Sequence, residues 1–151
     1  MKWISKSFEE LTALELYRII QVRIDVFMLE QQCLYAECDD KDLKAHHLFL
    51  MENDICLAYA RLLPPNVSYE NCPSIGRVLV NPKYRKQNLG ILLMKKAIDH
   101  MLISFPDSII RISAQKYLEN FYKNLGFIKV SDEYLEDNIP HIEMTYSKHH
   151  I

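Results

Sequence analysis

The spacing of apolar residues changes several times along this 151-residue chain, and each change marks an element. Residues 2–7 read as a short edge strand. Phe8, Leu11, Leu14, Leu16, Ile19 and Ile20 then recur at roughly helical spacing, which predicts a first helix. Its continuation over residues 22–31 keeps Val26 and Phe27 apolar but sets Arg23, Asp25 and Glu30 among them. The acidic stretch Glu37, Asp39, Asp40 and Asp42 that follows reads as a loop. Residues 47–52 and 56–62 are β-type runs on either side of Asn53 and Asp54, whose short polar side chains tolerate positive φ, so a hairpin is expected. Residues 64–73 break regular structure, and 74–80 resume it as an Ile/Val-rich strand that Pro82 ends by removing a ladder donor.

Leu92, Leu93, Ala97, Ile98, Met101 and Leu102 describe a second helix over 89–105, stopped near Pro106. Residues 109–114 form a short strand and 117–125 a short helix that Gly126 terminates. Residues 127–130 and 142–146 read as two last strands. The order β-α-β-β-β-α-β-α-β-β, without repeats or a linker, predicts one domain over 1–151. Its class is mixed α/β, with a largely antiparallel central sheet flanked by helices.

Composition narrows the function. Hydrophobic residues make up 49 % of the chain and charged ones 25 %, which is globular rather than disordered composition. A net charge of -2 gives no bulk attraction toward nucleic acid or an anionic membrane, so neither is expected as a partner and any anion site must be local. No segment approaches the roughly 20 apolar residues of a membrane span. The first ten residues carry charge where a secretory signal would be apolar, and the four cysteines form no Cys-x-x-Cys pair. Free thiols and a cytoplasmic location are the expectation. His46 and His47 with the neighbouring aspartates lack a convincing metal-ligand spacing, and no metal is expected.

One junction is suited to an anion. Residues 78–90 join a strand to the start of the long helix, where the first amides lack intrahelical partners and the peptide dipoles place partial positive charge. Gly90 lets a ligand approach the backbone, and Arg85, Lys86 and Lys83 add cationic charge. A polar loop with a solvated basic cluster accounts for the same residues. A nucleotide-triphosphate loop is a poor rival, since no Gly-Lys-Ser/Thr follows, and a dinucleotide fold fits badly, lacking the glycine triplet.

Val78-x-Val80-x-Pro82 followed by Arg85-x-x-Asn88-x-Gly90 resembles the acetyl-coenzyme A loop of the GNAT superfamily of N-acetyltransferases, with Asn88 in place of the middle glycine. Phe121-Tyr122 followed by Gly126-Phe127 resembles the same superfamily's aromatic pair and Gly-Phe signature. Arg23-x-x-Val26-Phe27-x-x-Glu30-Gln31, Ala58-Tyr59-Ala60-Arg61-Leu62, Gly76-Arg77-Val78 and Tyr134-x-Glu136-Asp137-x-Ile139-Pro140-His141 resemble its ElaA group over nearly the whole chain.

The resemblance implies a GNAT fold and acetyl-CoA as cosubstrate. The backbone of Val78, Leu79 and Val80 would lie along the pantetheine, and Arg85 with the amides of Lys86, Gln87, Asn88, Leu89 and Gly90 would hold the pyrophosphate. Gln115, and more weakly Asn120, would bond the cofactor. Tyr122 falls where many members place the acid that protonates the departing thiolate; half-buried packing is the plainer account of it. The acceptor would be an amine of a small molecule or protein.

An amine is mostly protonated at neutral pH, so a base is needed, and Glu30, Asp137, His141 and Glu143 are candidates, His141 the most attractive. Arg23, Glu30, Arg61, Arg77 and His141 would surround the acceptor, or would form a buried polar network that supports the fold. The acidic residues of 37–42 and 132–137 would collect a cationic amine, or are solvated loop charge. A CoA-sensing or interaction module without turnover is the alternative function. Exposed strand edges leave room for a homodimer.

Overall fold

The computed structural model describes residues 1–32, 34–85 and 87–148. Two four-stranded sheets make up its frame. In the first, β1 (Lys2–Ser7), β2 (His46–Glu52), β3 (Ile55–Leu63) and β4 (Ser74–Val80) lie side by side in chain order, all antiparallel. In the second, β8 (Ile139–Tyr146) takes β5 (Ile110–Gln115) on one side, and β6 (Ile128–Lys129) and β7 (Tyr134–Glu136) also pair with it. The sheets meet at the starts of β4 and β5, where the Arg111 amide donates to the Pro73 carbonyl at 3.0 Å.

Two capping boxes, not one helical run, begin the chain. Ser7 with Glu10 starts a 3-10 turn at Phe8–Glu10, and Leu11 returns to extended backbone. Thr12 then accepts from the Glu15 amide at 3.1 Å while its own amide donates to Glu15 at 2.9 Å, starting α1 (Ala13–Arg23). The first helix therefore begins later than apolar spacing predicts. Beyond Arg23 the winding loosens into a π-helical segment, Ile24–Glu30, closed by the Gln31 amide on the Val26 carbonyl at 3.2 Å.

The expected hairpin is present, with Asn53 and Asp54 both at positive φ (50° and 62°) between paired Glu52 and Ile55. The same device recurs where no strand is predicted. Asp137 and Asn138, at 51° and 63°, join β7 to β8 between paired Glu136 and Ile139. β8 thus starts three residues earlier than predicted. Pro140 is accommodated because pairing with β5 begins only at His141, so its missing N–H interrupts no bond to that neighbour.

Alternation along β2 and β3 divides the interior. Leu48, Leu50, Ala58, Ala60 and Leu62 pack with α2 (Leu89–Ser104), whose Leu93, Met94, Ala97 and Met101 are fully buried. Phe49 and Tyr59 face the other way, against Ile19 and Val22 of α1 and Val26. His47 and Arg61, register partners in this hairpin, follow the same alternation as Phe49 and Tyr59 and bring polar groups to that layer. The short α3 (Glu119–Asn124) ends at Gly126, whose φ of +107° and 2.8 Å gap between a built Cβ and the Tyr146 ring admit only glycine.

Candidate active site

A cavity of about 460 Å³ opens between β4 and β5 and is lined by residues of both sheets, among them Arg77, Val78, Ser113, Gln115, Tyr122 and His141. Its β4 wall is irregular. Tyr59 pairs with Leu79 and Arg61 with Gly76, so Arg77 and Val78 together oppose the single residue Ala60, a β-bulge. Arg77 carries a φ of 50°, a conformation that costs a residue with a side chain about 1–2 kcal/mol. The bulge frees backbone groups from the ladder at the point where the two sheets separate.

Arg23, Arg61 and Arg77 belong to one ionic network rather than to three separate binding positions. Arg23, 1 % exposed, donates from Nε to Glu37 at 2.5 Å and from Nη1 to Asp42 at 2.8 Å. Arg61 holds Asp39 with two bonds of 2.8 and 3.0 Å and also reaches Asp42 at 3.2 Å. Arg77 donates to Glu37 at 3.2 Å and lies over the Tyr35 ring at 5.1 Å, and the Tyr35 hydroxyl bonds Glu37. Burial works to raise the carboxyls of Asp39 and Asp42, but hydrogen bonds and charge from the arginines outweigh it and hold both below the usual range. Arg61 and Arg77 line the cavity; Arg23 stands behind them and anchors the stretch of residues 37–42. His47 completes the layer, with Nε2 on the Asp42 carbonyl (3.0 Å) and Nδ1 on the Tyr59 hydroxyl (2.7 Å). Since a carbonyl only accepts, Nε2 bears the proton and Nδ1 accepts from Tyr59.

Glu30 lies elsewhere. It pairs with Arg85 through two bonds of 2.8 and 2.7 Å, and Arg85 Nε donates to the Val80 carbonyl at 3.1 Å. The pair ties the end of the π-helical segment to the loop before α2. Asn88 caps α2 with a φ of 56°, the left-handed conformation that lets asparagine stand where glycine is usual, and its side chain makes no capping bond. Asn88 thus leaves the first amides of α2 without a side-chain cap. Gln87 and Asn88 are exposed, Leu79 and Leu89 are buried in the core, Val80 packs at its margin, and Lys86 falls outside the described residues. A Cβ on Gly90 would meet Phe121 at 3.7 Å and Val80 at 3.8 Å, ordinary contacts, so the protein itself does not require glycine there.

Tyr122 is 6 % exposed, packed edge-on to Phe121 and Phe127, and lines the cavity. No described residue bonds its hydroxyl, and burial pushes the phenol well above its usual range, which keeps it protonated at neutral pH. Gln115 bridges the cavity to Gln31 at 3.2 Å; Asn120 is exposed on α3 and is not part of the lining. His141, also 6 % exposed, has Nδ1 at 2.6 Å from the Ile139 carbonyl and Nε2 at 3.4 Å from Glu136. Of the other candidate bases, Glu143 is tied to Arg111 at 2.9 Å, while Asp137 lines the cavity.

Sequence reasoning does not find the roles of Ser113 and Tyr134, whose hydroxyls meet at 2.5 Å beside Glu136. The Asp137-Asn138 turn, of the same kind as Asn53-Asp54, is the signal that would have placed β7 and Tyr134 against His141. Among the described residues no group of three or more side chains is arranged to hold a metal ion, and no helix is long and apolar enough to cross a membrane.

This arrangement, a bulged β4 separating from β5 over a cavity walled by a short aromatic helix, is shared with a solved acyl-CoA N-acyltransferase. The acetyltransferase (GNAT) domain model matches residues 16–148, and the chain belongs to that family, within its ElaA-like group. It is 38 % identical to ElaA of Escherichia coli over 95 % of each chain, and 42 % identical to a UPF0039 protein of Schizosaccharomyces pombe over 95 % of each. The crystal structure of an acyl-CoA N-acyltransferase from Pseudomonas aeruginosa superposes with a TM-score of 0.92 at 40 % identity, covering 97 % of this chain and 99 % of that one. The fold and family implied by the sequence motifs are therefore those found, and the chemistry of the family is N-acyl transfer from an acyl-CoA cosubstrate.

Proposed function

We propose that this protein transfers an acetyl group from acetyl-CoA to an amine of a small molecule or protein by direct attack, without a covalent acyl-enzyme. The observation that carries the reading is the Tyr122 hydroxyl, protonated, without a partner among the described residues, and on the wall of the cavity beside the β4 bulge. Acetyl-CoA supplies the activated thioester. The backbone of Val78 to Val80 offers hydrogen-bonding groups along it, and the open amides at the start of α2 with Arg85 suit its pyrophosphate. Gln115 has both donor and acceptor for an amide. Tyr122 protonates the departing thiolate, a group of pKa roughly 8.5 by analogy with cysteine.

Arg61, Arg77 and Asp39 form the polar end of the cavity, where they shape the acceptor site, with Arg23 holding them in place. The amine's proton leaves toward His141. Screening amines and peptides for acceptor-dependent thiol release from acetyl-CoA tests the whole reading; binding of acetyl-CoA without such release would favour a sensing module. Tyr122→Phe should slow single-turnover acetyl transfer about 100-fold or more while cofactor affinity changes little. An unchanged rate removes the assigned role.

A further inference from the structure

The surroundings of His141 go further than a lone base. Its Nδ1 must carry a proton, because the Ile139 carbonyl 2.6 Å away can only accept. Nε2 therefore faces the Glu136 carboxylate at 3.4 Å. A bare imidazole nitrogen and a carboxylate oxygen are both acceptors, so the contact is attractive only with one proton between them, on Nε2 or on the carboxyl. The other Glu136 oxygen is fixed by Ser113, which donates to it at 3.2 Å. Ser113 has one proton to give, so it must accept from the Tyr134 hydroxyl at 2.5 Å. The Tyr134 ring in turn stacks on the imidazole, 6.2 Å between centroids and 24° from parallel.

Exposure gives this cluster a direction. Both side chains line the cavity, but that of His141 is only 8 % exposed while that of Glu136, at 51 %, reaches solvent at its rim. We propose that His141 and Glu136 form a proton relay that carries the acceptor amine's proton out of the cavity to solvent, with Ser113 and Tyr134 as positioning residues. The relay rests on the acetyl-transfer reading of the cavity. Of the neighbouring carboxylates, Glu143 is committed to Arg111 and Asp39 to Arg61 and Arg77.

The protons balance. An ammonium acceptor passes one proton to Nε2 as the proton held by the pair leaves through Glu136. The neutral amine then forms the C–N bond while the C–S bond breaks. Tyr122 gives its proton to the thiolate and recovers one from the same nitrogen. One proton reaches solvent for each acetyl group transferred.

Two measurements on the full chain test the relay. Long-range ¹H–¹⁵N spectra of histidine-labelled protein should show Nδ1 of His141 protonated whether or not Nε2 also carries a proton; an imidazole bare at Nδ1 and protonated at Nε2 overturns the relay, and the readout needs no acceptor. With the best amine of the panel, Glu136→Ala should lower turnover by about 10-fold or more, leave the KM for acetyl-CoA unchanged, and recover with added formate. Glu136→Asp should keep most of the rate. A loss that formate cannot restore, with folding intact, assigns Glu136 a structural role and overturns the proposal. An amine panel without any thiol release removes the transferase reading itself, and with it the relay's task, whatever the tautomer.

Discussion

Gly90 separates the demands of the fold from those of the ligand. A Cβ there would make only ordinary contacts, at 3.7 Å or more, and the position is helical, a conformation alanine favours over glycine by at most roughly 0.5–1 kcal/mol. Gly90→Ala should leave thermal stability unchanged or slightly raised, yet weaken acetyl-CoA about tenfold by crowding the pyrophosphate, equivalent to ~1.4 kcal/mol. Equal affinity in calorimetry would move the phosphate site away from this turn. The Arg85–Glu30 pair makes the opposite prediction. Both side chains are well exposed, 44 % and 39 %, so the pair contributes little to stability, but it competes for the guanidinium. Glu30→Gln should tighten acetyl-CoA binding by roughly two- to fivefold, the scale of an exposed ion pair. Weaker binding would show that Arg85 is held in its working position by Glu30.

At the scale of elements, the stretch of residues 37–42 is held by charge rather than by apolar burial. Arg23, Glu37 and Asp42 are all removed from water and satisfied only by one another and their neighbours. Arg23→Met removes the shorter ion pair of both Glu37 and Asp42, leaving each with one arginine contact of 3.2 Å, and should cost about 3 kcal/mol in urea unfolding. The same layer sets the acid limit. Burial holds His47 below its usual range, so the unfolded chain binds more protons there and stability falls as pH drops below roughly 6.5. Asp39 and Asp42 are depressed too, so their contribution is complete above roughly pH 3.9 and is lost as pH falls further through their folded values. Urea midpoints at a series of pH values should therefore decline in two stages; a flat profile down to pH 5 would remove His47 from the linkage.

Over the whole molecule, the two sheets touch at the starts of β4 and β5 and separate around the cavity. A ligand that fills this gap bridges both halves and stabilises them together. Acetyl-CoA at about 100 times its Kd should add ~2.7 kcal/mol, raising Tm by roughly 5–10 °C for a chain of this size. No rise at saturating cofactor, seen by scanning calorimetry, would count against the bridge.

Much of this was legible in the chain itself. Helices, hairpin and class follow from apolar period and turn residues, because those signals are local: Asn53-Asp54 forces its turn whatever surrounds it, and Leu93, Ala97 and Met101 face the core by helical spacing alone. The family also shows in short motifs such as Phe121-Tyr122 and Gly126-Phe127, where backbone and packing needs fix residue types at fixed spacing. The sequence does not set who pairs with whom. Arg23, Arg61 and Arg77 meet three acids from one loop, and Glu30, expected in the same group, turns instead to Arg85. Likewise Ser113, Tyr134 and Glu136 become partners of His141 only because β5 and β7 both lie against β8. Side-chain charge acts over a few ångströms, and only the tertiary arrangement decides which of many similar charges come that close.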